Sequence, residues 1–127
     1  MATPGKMMIQ MKEGTLEKDV AGMFSKMNPK YIIEWMSKKT EGEPSYDGGK
    51  EPKWFKEHEI NVGRALDKLI TFTIMHDEEI IGVTKIKAKV LADKKEEAWF
   101  SIKHENEVVG KIKISAEYKA PPAKKKP

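Results

Sequence analysis

A chain of 127 residues without cysteine makes one domain that buries roughly two-thirds of its unfolded surface, and it excludes a disulfide framework, a thiolate nucleophile and a thiolate metal site. Its net charge of +4 resides in the last stretch, where Lys119, Lys124, Lys125 and Lys126 stand without an acid, leaving 20 bases against 20 acids in residues 1–118. A balanced body argues against a nucleic-acid domain, which carries a basic face with stacking aromatics, and no apolar run approaches the ~20 residues of a membrane helix.

Lys6 to Lys12 alternates, with Met7, Ile9 and Met11 on one side, and predicts a strand whose methionines fill core volume. Glu13 to Asn28 reads as a long loop in which Met23 and Phe24 either tuck under the chain or face a partner. Lys30 to Trp35 is the next strand, with Tyr31, Ile33 and Trp35 opposite Ile32 and Glu34. Ser37 to Tyr46, broken by Gly42 and Pro44, leaves room for a short edge strand. After the turn Asp47 to Pro52, residues 54–62 resume extended structure, with Trp54, His58, Ile60 and Val62 on one side.

Gly63 to Lys68 turns, or makes one helical turn. Leu69 to Met75 follows with Ile70, Phe72 and Ile74 opposite Thr71 and Thr73, the most β-prone run in the chain. His76 to Glu79 caps it. From Ile80 to Val90 the alternation of Thr84, Ile86, Ala88 and Val90 against Lys85, Lys87 and Lys89 predicts another strand. Ala92 to Glu97 reads as a charged loop, Ala98 to His104 as a strand, Glu105 to Glu107 as a turn, and Val109 to Tyr118 as the closing strand. About eight short strands at regular spacing predict an all-β, antiparallel β-sandwich. The expected division is a folded unit over residues 1–118 and a basic Pro/Lys tail over 119–127.

In this order the chain resembles a C2 domain, the calcium-dependent phospholipid-binding module. The family reads as a loop aspartate, then Gly-x-Ser-Asp-Pro-Tyr-Val, against Asp19 and Gly22, Ser25, Asn28, Pro29, Lys30, Tyr31 and Ile32 here. Asn-Pro-x-Trp is matched by Glu51-Pro52-Lys53-Trp54, and Asp-Phe-Ile-Gly by Glu79-Ile80-Ile81-Gly82. The closing Trp-Tyr-x-Leu and Gly-x-Ile-x-Leu strands are matched by Trp99 to Ile102 and Gly110 to Ile114, and the Gly110 strand coming last resembles the permuted topology of small single-domain members.

The resemblance implies an ion pole built from loop carboxylates, since calcium takes six to eight oxygens. Asp19, Asn28, Asp77 and Glu79 are the residues at those positions, with a neutral amide at Asn28 and an imidazole, His76, where the family has an aspartate. So depleted a set implies weak calcium binding, at roughly 0.1 to 1 mM, or none. The resemblance also puts Met23 and Phe24 at a membrane-facing loop tip. Lys85, Lys87, Lys89, Lys111 and Lys113, with Lys124, Lys125 and Lys126 of the tail, form either a basic lipid or partner face or the wet side of alternating strands.

No enzyme signal accompanies these features: His58, His76 and His104 lack metal-ligand spacing, and neither a phosphate loop nor a nucleophile motif is present. The expected function is a peripheral module for anionic phospholipid surfaces in the cytoplasm. The alternative is a protein-interaction or scaffold module that keeps the sandwich, with exposed tryptophan or lysine strands as its contact surface.

Overall fold

The structure, a computed structural model, describes residues 5–17, 27–46, 48–94 and 96–119. It contains eight strands, β1 (Lys6–Leu16), β2 (Lys30–Trp35), β3 (Lys38–Glu41), β4 (Lys53–Asn61), β5 (Leu69–His76), β6 (Glu79–Lys87), β7 (Ala98–His104) and β8 (Glu107–Tyr118), and one short helix, α1 (Ala88–Asp93). Every pairing is antiparallel. The strand order is β3-β2-β5-β6-β7-β8-β1-β4, and the ladder between β6 and β7 is reduced to the single pair Val83–Lys103. That thin seam divides the sheet into two four-stranded layers folded face to face.

Alternation decides which side chains fill the space between the layers. Tyr31, Ile33, Trp35, Ile70, Phe72, Ile74 and Ile86 come from one layer, and Met7, Ile9, Met11, Trp54, Ile60, Ile102, Ile112 and Ile114 from the other. The early methionines thus lie in the core. No charged or polar residue is buried among the described residues.

Two expectations need correction. The first strand runs on to Leu16 instead of ending at Lys12, because a bulge between Met11 and Glu13 shifts the register. Beyond the bulge the buried positions become Gly14 and Leu16, so the odd-numbered alternation stops while the strand continues. The sixth strand ends at Lys87 instead of Val90. Ala88 and Leu91, three apart, are the buried pair of α1, whereas Val90 is exposed, a helical spacing hidden inside an apparent strand period. The Ala88 and Lys89 amides donate to the Lys68 and Leu66 carbonyls, fixing the start of α1 on a turn series over 63–68.

Candidate functional site

Strand directions define two poles. At one, the Gly5 amide donates to the Lys119 carbonyl, the Gly63 amide to the Gly5 carbonyl, and the Trp35 indole to the Asn61 carbonyl. At the other, the Leu16 amide donates to Lys50, the Glu17 amide to Val109 and the Gly49 amide to Met27. Glu17 and Met27, the described residues on either side of 18–26, therefore share this second pole with the β5–β6 hairpin. Asp19, Met23 and Phe24 lie outside the described residues, as do Lys124, Lys125 and Lys126.

Asn28, Asp77 and Glu79 also gather at this pole. The backbone N–H of Asn28 donates to His76 Nδ1 at 3.0 Å, which commits that nitrogen as an acceptor and leaves Nε2, 3.4 Å from Asp77 Oδ2, as the protonated one. His76 thus ties the chain entering β2 to the end of β5, and its free nitrogen meets Asp77. Asp77 takes a positive φ of 52° in the tight turn that follows.

Measured against the oxygen shell of calcium, the described donors do not fit. Among the described residues, no three His, Asp or Glu side chains converge where an ion could be held. Asp77 is largely exposed. Glu78, Glu79, His104, Glu105 and Glu107 instead line a cleft of about 460 Å³ between the β5–β6 and β7–β8 hairpins, with Ile80, Ile81 and Val109 beneath them. The result is an acidic pole.

The basic residues lie along the flank of the sandwich. Inward alternation of Ile86, Ile102, Ile112 and Ile114 leaves Lys85 and Lys87 on the outer face of β6, Trp99, Ser101 and Lys103 on that of β7, and Lys111 and Lys113 on that of β8. Lys89 does not join this face through the β6 alternation, because it belongs to α1. The Lys111 and Lys113 ammonium groups stand 4.9 and 5.0 Å from the centroid of the Trp99 ring, within the range of cation–π attraction. Glu97 pairs with Lys113 at 3.5 Å and Lys12 at 3.8 Å. Among the described residues, Lys85, Lys87, Lys103 and Lys111 form no ion pair.

Neither Trp99 nor Lys103 stands out in the sequence as a site residue. The available signal is parity: Ala98, Phe100 and Ile102 form the inward set of β7, which turns Trp99, Ser101 and Lys103 outward. His58 is likewise no ligand, being hydrogen-bonded to the Tyr31 hydroxyl between the layers. Burial pushes the Tyr31 phenol up to about 12, with the Glu43 carboxylate adding to the effect, and burial lowers the His58 imidazole.

Two four-stranded layers joined at one seam, with loops gathered at one pole, are the C2 fold. The chain superposes on the C2A domain of plant extended synaptotagmin 1 with a TM-score of 0.80 at 14% identity, covering 96% of this chain and 100% of that one. A C2 domain-containing protein matches with a TM-score of 0.76 at 12% identity over 95% of this chain and 93% of the other. The calcium-bound C2A and C2B domains of extended synaptotagmin 2 match at 0.76 and 17% identity, over 93% of this chain and 47% of that one. No family model and no curated protein matches the sequence. Among the described residues, no helix is long and apolar enough to cross a membrane.

Proposed function

We propose that this chain is a peripheral binding module of the permuted C2 type, that it attaches to anionic phospholipid surfaces, and that calcium adds little to the attachment. The observation carrying this reading is the set of lysines on the outer faces of β6 and β8, Lys85, Lys87, Lys111 and Lys113, beside a pole whose described donors do not assemble an ion shell. A lysine held near an anionic leaflet contributes about 1 kcal/mol. Several such lysines give weak, reversible attachment that salt weakens. Met23, Phe24 and the tail lysines Lys124, Lys125 and Lys126 are secondary contacts in this reading. The two extended synaptotagmin matches are compatible with it, although their likeness to this chain is one of fold.

Co-sedimentation with vesicles of phosphatidylcholine, alone or mixed with phosphatidylserine, tests the proposal. The chain is expected to pellet with the mixed vesicles at low salt, equally in 1 mM calcium and in chelator. Failure to pellet with anionic vesicles overturns the lipid reading and leaves the protein-interaction alternative. Pelleting that requires calcium overturns the minor role given to the ion.

A further inference from the structure

We infer that the chain docks side-on, with the outer face of β7 and β8 against the anionic headgroup layer and Trp99 at the centre of the contact. This rests on the proposed lipid reading and adds the surface and orientation to it. Charge complementarity selects the occupant. Lys103, Lys111 and Lys113 share this face, and the acid pairing with them, Glu97, engages Lys113 and Lys12. The pole at right angles presents Asp77, Glu78, Glu79, Glu105 and Glu107 on two neighbouring hairpins. An anionic leaflet repels such a pole and attracts the flank.

Trp99 supplies what lysines alone lack. Its relative exposure is 39%, whereas Trp35 and Trp54 are 6% and 7% exposed and donate to the Asn61 and Pro29 carbonyls. An amphipathic indole is suited to the headgroup level of a bilayer. Here it is held beside two ammonium groups that reach lipid phosphates from the same face. Pairing of Trp99 with Lys113 and of Ser101 with Lys111 places this cluster on two adjacent, laddered strands rather than on a loop.

The exposure difference makes the test direct, because a change in tryptophan emission on docking reports Trp99. The intact chain is titrated with phosphatidylserine-containing vesicles, with and without lipids brominated near the headgroup. Emission is expected to shift to the blue and to be quenched by the brominated lipids, and Trp99→Phe is expected to remove both signals. Lys111→Ala and Lys113→Ala are each expected to weaken binding about fivefold, with thermal midpoints unchanged, and Phe24→Ala to weaken it less than either. Pelleting without any Trp99 response, or loss of binding in Phe24→Ala alone, overturns side-on docking while the lipid reading stands. Absence of pelleting overturns both.

Discussion

The Tyr31 hydroxyl and His58 Nε2 are hydrogen-bonded across the two layers of the sandwich, joining β2 of one to β4 of the other. The same phenol ring meets the Trp54 ring edge-on at 5.2 Å, and Trp54 in turn donates to the Pro29 carbonyl at 2.9 Å. Tyr31→Phe keeps the ring contacts and strips the partner from a half-buried nitrogen. The expected loss is about 1–3 kcal/mol, read from urea unfolding midpoints, with little change in the slope of the transition.

The same pair sets a pH dependence. The His58 imidazole is lowered by burial from its ordinary value of 6.5, so below that pH the unfolded chain takes a proton that the folded chain resists. Stability contributed by His58 is therefore present above pH 6.5 and lost as the pH falls towards the folded value. Tyr31 acts on the alkaline side. Its phenol is raised from 10.0 to about 12, so unfolded chains ionise first and stability falls as the pH rises through that interval. Urea midpoints across pH 5 to 8 are expected to decline on the acid side, and His58→Gln to flatten the part of the decline due to this residue.

Gly42 is the residue that makes room for this junction. A Cβ built there would stand 2.2 Å from Cζ of Tyr31, and the Gly42 amide already donates to the Tyr31 carbonyl at 2.9 Å. The phenol cannot retreat without leaving His58 and Trp54. Gly42→Ala is expected to destabilise by about 1–3 kcal/mol through overpacking. In the double variant Gly42→Ala with Tyr31→Ala, the glycine substitution is expected to cost much less than it does alone, because the ring it strikes is gone. Equal costs in both backgrounds would show that the ring is not what excludes a side chain at 42.

Several of these relationships were readable from residue order. The bounds of β2 and β7 follow from alternation flanked by turn residues, and the two-residue periods that bury Tyr31 and Phe72 were unambiguous. Readability failed where a local change of period overrode the pattern, at the Met11/Glu13 bulge and at Ala88, where Thr84, Ile86, Ala88 and Val90, alternating with lysines, imitate a strand. The outer basic face was half legible: its lysines alternate visibly. Its inclusion of Trp99 and Lys103 depends on β7 lying beside β8, a fact of topology that spacing does not encode.

The α1 segment offers a test in which the two periods give opposite answers. An alternating strand would bury Val90 and expose Leu91, whereas in the helix Leu91 is 1% exposed and Val90 39%. The helix has six residues, an N-cap Lys87 without a side-chain hydrogen bond and no acidic residue in its first turn. Short helices without such supports depend on tertiary packing. Leu91→Ala is therefore expected to cost about 2–5 kcal/mol through the cavity it leaves, and Val90→Ala to change stability by less than about 0.5 kcal/mol. Unfolding midpoints with the reverse ranking would mean that residues 88–90 continue β6. The Ala88 and Lys89 amides would then have to leave the Lys68 and Leu66 carbonyls that now hold the start of the helix.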